Sequence, residues 1–259
     1  MRLILKILFS ILLCGIIPLT SLGDNKIKEV NFAKEFNISL KLYQEGKLID
    51  AFNLTKLLAD KGYANAAYNL GVYYFYGHGV AQNYEQSFKY FTLAAAKHHT
   101  NAQYNLSELY YLGLGVDKNY EESAKLTKIL ADKKDIDGLI HLAMLYKKGL
   151  IYPKDIKMVV KYLKLAINQG SAYAGYSLGK LYEEGTDIKQ NYKLAAKYFE
   201  LASNKKFAKA QKKLAELYLK GLGVEKNKEK ADSLFKLAEL NQEGDDPKQI
   251  RGLIVIPLN

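Results

Sequence analysis

Three Ser-x-x-Lys spacings, Ser177 with Lys180, Ser203 with Lys206 and Ser233 with Lys236, are the places in this 259-residue chain where nucleophilic chemistry could first be sought. In that spacing a lysine one helical turn away can draw the proton from a serine hydroxyl and leave an acylable oxygen. The three pairs occupy unrelated positions in a chain with 38 Lys and Arg, and neither Ser-Asp-Asn nor Lys-Thr-Gly accompanies them. They read as chance spacings. The histidines His78, His98, His99 and His141 show neither the i, i+4 pair of a helical zinc site nor a neighbouring set of carboxylates. Gly77-His78-Gly79 lacks the Gly-Lys-Ser/Thr ending of a phosphate loop. Adjacent carboxylates such as Glu121-Glu122 and Glu183-Glu184 point about 100° apart on a helix, as surface charges do. No catalytic residue, metal site or cofactor is expected.

The elements carrying these residues repeat. Shifted by 36, the chain aligns Leu70, Leu106, Leu142, Leu178 and Leu214, then Tyr74, Tyr110, Tyr146, Tyr182 and Tyr218, then Gly77, Gly113, Gly149, Gly185 and Gly221. Small residues form two further columns, Ala66, Ala102, Gly138, Ala174, Ala210 and Gly71, Ser107, Ala143, Gly179, Ala215. Within one unit these positions fall on one side of a helix, helix A, and the glycine closes it by taking positive φ without the cost of a Cβ. After a short loop, Asn83, Asn119, Asp155, Asn191 and Asn227 are placed to accept from the free N–H groups that open helix B. Gln86 and Glu122 add capping-box spacing. Helix B alternates large and small residues, Phe91 with Ala94 or Phe199 with Ala202, as close helix packing needs. A pair of this kind buries its apolar face only against its neighbours, so the expected fold is all-α: a right-handed α-solenoid of stacked antiparallel helix pairs. Residues 24–62 read as a shortened first unit, 63–244 as five full repeats, and 245–259, with apolar Ile250 to Leu258, as a capping or flexible tail.

Residues 1–23 follow other rules. Arg2 and Lys6 precede an apolar run, Ile7 to Leu19, and Ser21-Leu22-Gly23 offers small residues for a signal peptidase, so cleavage is expected before Asp24. The run is too short to span a bilayer, since Pro18 and Thr20 end it early. Cys14, the single cysteine, leaves with it, and Leu12-Leu13 before it does not suit a lipoprotein signal. Without Arg2 and Lys6 the formal charge falls from +11 to +9. That biases encounters toward acidic partners. Nucleic acid is not expected, because Arg251 is the lone guanidinium left and the lysines interleave with Glu and Asp.

Ala102-Gln103-Tyr104-Asn105-Leu106, with Tyr110, Gly113-Leu114-Gly115-Val116 and Asn119-Tyr120, resembles the Sel-1-like repeat, a longer-looped relative of the tetratricopeptide repeat. Two loops depart from it, Leu150-Ile151-Tyr152-Pro153 and Thr186-Asp187-Ile188. Some cysteine-rich exported members of that family are linked to β-lactams, a likeness that the missing cysteines weaken. The resemblance implies a concave groove lined by helix A, placing Tyr68, Tyr104, Ile140, Tyr176 and Lys212 in one row and Phe75, Tyr111, Lys147, Glu183 and Leu219 beside it. Tyr68, Tyr104, Tyr176, Phe75, Tyr111, Lys147 and Lys212 are the residues expected to hold a partner, with packing against adjacent loops as the alternative for the tyrosine row. The function implied is a periplasmic or secreted scaffold for a protein or peptide, biased toward acidic segments and without turnover. The alternatives are an envelope enzyme or regulator acting on peptidoglycan or β-lactams, and a self-assembling structural protein. Mass spectrometry of the protein recovered after bacterial expression should find Asp24 as the first residue; an intact Met1 start would remove the export reading.

Overall fold

The computed structural model describes residues 19–241, with side chains from residue 31 onward. The apolar leader, apart from the start of the first helix, and the tail 245–259 lie outside the described residues. Among the described residues there are twelve α-helices and no strand. They divide into two compact units, one ending at Lys97 and the other beginning at His98. The first unit contains α1 (Leu19–Gln44), α2 (Leu48–Asp60), α3 (Ala64–Tyr76) and α4 (Tyr84–Ala95). The second contains α5 (Thr100–Leu112), α6 (Tyr120–Asp132), α7 (Ile136–Lys148), α8 (Ile156–Asn168), α9 (Ala172–Glu184), α10 (Tyr192–Ser203), α11 (Ala208–Lys220) and α12 (Lys228–Leu240). Within each unit every helix packs on the next, the arrangement of an α-solenoid.

Every A helix from α3 onward stops in the same way. Gly77, Gly113, Gly149, Gly185 and Gly221 take φ of 77°, 73°, 65°, 65° and 68°, and each donates its N–H to the carbonyl four residues back. Every following B helix opens in the same way. The side chains of Asn83, Asn119, Asp155, Asn191 and Asn227 accept from backbone N–H groups in the first turn. The backbone N–H of each cap residue, in turn, donates to the carbonyl of the tyrosine column, from 2.8 Å for Asn83 to Tyr74 to 3.3 Å for Asp155 to Tyr146. This corrects the capping-box expectation: the N–H that Glu122 would have accepted from is already taken by Tyr110, and Glu122 accepts from Lys125 instead, at 2.6 Å.

Close approach explains the small columns. A Cβ added at Gly71 or Gly179 would lie 2.6 Å from the ring of Phe91 or Phe199, so glycine in helix A is what lets the B-helix phenylalanine lie flat across it. The tyrosine column lies at the edge of the same seam. Tyr74, Tyr146 and Tyr182 stack on Tyr90, Tyr162 and Tyr198 with centroids 5.7, 5.8 and 5.7 Å apart. Such pairs contribute about 0.5–1.5 kcal/mol beyond the area they bury. The second glycine of the A-to-B loop has a different reason. A Cβ on Gly223 would sit 2.2 Å from the backbone carbon of Tyr192, because the loop presses against the start of the preceding B helix. Ile151 and Asp187 occupy that loop position in two repeats; neither takes positive φ, so those two loops follow another course.

Helix B ends in a left-handed residue as well, and here the sequence is not uniform. Gly62 and Gly170 hold φ of 90° and 93°, whereas His98, Lys134 and Lys206 hold φ near 60° with a Cβ present. Two opposite outcomes follow for equilibrium unfolding in urea. Lys206→Gly should raise stability by about 0.5–1 kcal/mol, relieving the left-handed strain at an exposed site. Gly179→Ala should lower it by about 1–3 kcal/mol, through overpacking on Phe199. Equal effects at the two sites would contradict this packing.

Burial also makes the tyrosines resist ionisation. It pushes the Tyr73 phenol up from 10.0 to about 12 and raises Tyr43, Tyr90, Tyr110, Tyr146 and Tyr198 in the same direction. A phenol whose folded pKa exceeds its unfolded value adds stability in full below the unfolded pKa and loses it as pH rises through the folded one. Urea midpoints should therefore fall steadily between pH 10 and about pH 12, the window set by Tyr73. A flat profile across that window would show these rings to be solvated.

Candidate functional site

The second unit encloses a cavity of about 620 Å³. Its walls are three successive A helices, α5, α7 and α9, and α8 closes its base with Val159 and Leu163. Its floor is apolar because helix A keeps one side for the core. Leu139, Leu142 and Leu145 bury on that side of α7, while Ile140 and Met144, on the adjoining face, reach the cavity. Lys147 and Lys148, the last residues of α7, stand exposed at the mouth. Lys154 and Asp187, in ion-pair contact, come from the two loops that lost their second glycine. The rerouted loops thus supply the charged rim.

The polar centre of the cavity is His141. Its side chain is 2 % exposed, and Nδ1 lies 2.9 Å from Oε1 of Glu108, which is itself 13 % exposed. The ring meets Tyr111 edge-on, with centroids 5.2 Å apart and planes at 89°. Neither ring nitrogen forms an aligned hydrogen bond, although Nδ1 lies within contact distance of the Glu108 carboxylate. A buried ring with both nitrogens unspent is costly unless a partner completes it. Lys148 places Nζ 5.2 Å from the Tyr111 centroid and donates to the Tyr111 hydroxyl, which holds that ring upright at the entrance. Among the described residues no group of three or more His, Cys, Asp or Glu is placed to hold a metal. The His141–Glu108 pair is the buried polar contact at the wall of a largely apolar cavity.

The residues expected to bind a partner divide. Tyr104 and Tyr111 line the cavity, Tyr104 buried and Tyr111 half-buried, and Lys147 stands at its mouth. Tyr176 does not line it; its ring packs on Phe199 and Phe207 at 6.0 and 5.3 Å. Lys212 is exposed on α11, away from the cavity. In the first unit Tyr68 is fully buried with its ring 5.8 Å from Phe91, and Phe75, 4 % exposed, packs on Tyr76 and Tyr84. Tyr68 and Phe75 offer no contact surface, because the rings that the repeat aligns in sequence are drawn into the seam with helix B.

Sequence reasoning missed His141, Glu108 and Tyr173, all of which line the cavity. A signal existed: the position just before the leucine column is polar in every full repeat, as Asn69, Asn105, His141, Ser177 and Lys213. Polar residues beside the buried leucine column, buried at Asn69, Asn105 and His141 and half-buried at Ser177 and Lys213, mark where the array departs from plain packing. Ser177 also reaches the cavity, but its Ser-x-x-Lys partner is spent. Lys180 lies 3.0 Å from Glu184, and that hydrogen bond raises its pKa, the wrong direction for a base.

Five consecutive segments, residues 64–99, 100–135, 136–171, 172–207 and 208–241, match the Sel1 repeat. The chain belongs to the Sel1 repeat family. Sel1 repeats commonly serve as scaffolds for protein interaction, and nothing in the chain shows turnover. Among solved structures, this Sel1 repeat chain is similar to c5321, a protective antigen present in uropathogenic Escherichia coli strains with an SLR fold. The TM-score is 0.74 at 25% identity, over 86% of this chain and 49% of that one. It is thus about half the length of that antigen. A Sel1 repeat protein from Oxalobacter formigenes matches with TM-score 0.73 and 27% identity over 80% of this chain and 84% of that one. Immunity protein Pa5087 from Pseudomonas aeruginosa, with TM-score 0.52 and 17% identity over 80% and 83% of the two chains, shares the fold alone. No curated protein matches the sequence. No helix among the described residues is long and apolar enough to cross a membrane.

Proposed function

We propose that this Sel1 repeat chain is an exported, non-catalytic scaffold that holds a peptide segment of a partner protein across α5, α7 and α9. The observation that carries the reading is the cavity itself: an apolar floor around Ile140 and Met144, a buried His141 with both nitrogens unspent, and two lysines at the mouth. A segment that places one apolar side chain on the floor and a carboxylate between Lys147 and Lys148 satisfies every part of it. A polar group on that segment completes the Nε2 of His141. The polar handle supplies specificity, since a buried donor left unmatched by the wrong partner costs about 1–3 kcal/mol. Binding needs no rearrangement of the helix pairs, because the chamber is already open. Export rests on the leader alone, and the likeness to a protective antigen is consistent with it.

Met144→Arg fills the floor with a charge at a half-buried position outside the leucine core. Cross-linking in the native envelope, followed by recovery of the chain, should yield a partner with the natural sequence and lose it with Met144→Arg, while the urea midpoint stays within about 1 kcal/mol. Retention of the same partner by the variant would place binding elsewhere. Lys147→Glu should weaken capture several-fold, through reversed charge at the mouth and mainly at low salt.

A further inference from the structure

One position of helix B is apolar in all six B helices, and of the six side chains only Leu165 is half-buried and packed against the core. At the 36-residue spacing it reads Leu57, Leu93, Ile129, Leu165, Leu201 and Leu237. In the first unit Leu57 and Leu93 are 49 % and 47 % exposed; in the second Ile129, Leu201 and Leu237 are 43 %, 42 % and 46 % exposed, and Leu165 is half-buried. Single exposed leucines need no explanation, but a repeat that never places a polar residue at an exposed site does. One turn earlier on the same side of the helix the chain carries Lys125, Lys161 and Lys197 in the second unit, and Lys89 in the first.

The charge on this face is concentrated at α8 and α10. Their exposed lysines are Lys157, Lys161, Lys164, Lys193 and Lys197, and Glu200 is the single acidic side chain in the two helices. None of the five is in an ion pair with a described residue, in contrast to Lys125 and Lys128 on α6, which pair with Glu122 and Asp132. On α8 the lysines 157, 161 and 164 fall within an arc of about 60° opposite the buried Val159–Leu163–Ala166 stripe, with Leu165 on its flank. The same register places Lys193, Lys197 and Leu201 on α10. Lysines without ion pairs, beside the exposed Leu201 and its counterparts Ile129 and Leu237 on the neighbouring B helices, make a surface with two kinds of affinity at once.

We propose that this B-helix face of the second unit adsorbs to the surface of an anionic phospholipid bilayer. The lysines of α8 and α10 meet the headgroup phosphates, and the exposed Leu201, with Ile129 and Leu237 on the neighbouring B helices, enters the interfacial layer. The aliphatic column selects lipid over other polyanions: a nucleic acid or acidic polysaccharide rewards the lysines but gives the leucines nothing. Each lysine near such a surface contributes about fivefold in partitioning at moderate salt. Neither attraction suffices alone, so the combination sets the affinity. The cavity is walled by A helices, so adsorption through helix B leaves its mouth free, and this inference stands independently of the groove reading.

Co-sedimentation of the purified chain with vesicles of phosphatidylcholine, with and without phosphatidylglycerol, tests it. Binding should require phosphatidylglycerol and weaken as salt rises from about 0.05 M to about 0.5 M. Lys161→Glu with Lys197→Glu should reduce partitioning at least tenfold. Leu201→Ser with Leu237→Ser should reduce it several-fold while heparin binding is unchanged. Met144→Arg should bind vesicles like the natural chain. All these sites lie outside the buried core, and circular dichroism with urea midpoints verifies that each variant is folded. Absence of binding to phosphatidylglycerol vesicles, equal binding to pure phosphatidylcholine, or serine variants that bind vesicles as well as the natural chain would each overturn the proposal; the last would leave a plain polyanion surface.

Discussion

The backbone hydrogen bond from the cap residue of helix B to the tyrosine carbonyl of helix A fixes the geometry on which each full repeat depends. It joins Asn119 to Tyr110 and Asn191 to Tyr182 at 2.9 Å, and its copies occur in every full repeat. The bond spans the loop, so it sets the spacing between the end of one helix and the start of the next whatever the intervening residues are. That spacing brings the Phe199 ring over Gly179 and Tyr198 beside Tyr182. The glycine at the end of helix A makes the bond reachable, since the chain must turn through positive φ there. The Asn or Asp side chain then satisfies the N–H groups that the new helix leaves open.

Because that closure tolerates different loop contents, the loops are free to specialise. Where Gly79 and Gly223 let the backbone press on the preceding helix, Ile151 and Asp187 cannot, and the chain there turns its side chains to other work. Tyr152 stacks on Tyr146 at 4.6 Å, and Asp187 pairs with Lys154 at the edge of the cavity. The same logic holds within helix A. Its leucine column is invariant because packing demands it, and the polar column beside it, free of that demand, holds Asn105, His141, Ser177 and Lys213. A chamber forms where these local departures coincide on three neighbouring helices.

The two faces of the second unit then divide by chemistry. Helix A contributes an apolar hollow with a buried polar handle, suited to a specific segment. Helix B contributes exposed lysines and leucines in register along the repeat. On the two readings proposed, one small array would engage two partners of different kind through separate helix faces.

The fold was legible in the sequence because its determinants are local and repeated: glycine at a cap, Asn or Asp at the next helix start, a small residue opposite a large one. Each acts within one helix pair, and the 36-residue period shows them all. The candidate site was legible only in part. The family resemblance placed Tyr104, Tyr111 and Lys147 in the groove rows together with Tyr68, Phe75, Tyr176 and Lys212, and of these the cavity is lined by Tyr104, Tyr111 and Lys147. Whether a ring in such a row faces a chamber or sinks into the seam depends on the residues of the adjoining helix, such as Phe91 under Tyr68 or Phe207 against Tyr176. Those neighbours meet only when the chain is packed. The pairing of His141 with Glu108, 33 positions apart and on different A helices, likewise exists only in three dimensions. Sequence thus determined which helices form and how each pair closes; tertiary packing decided which side chains remain available to another molecule, because availability is a property of neighbours and not of residues.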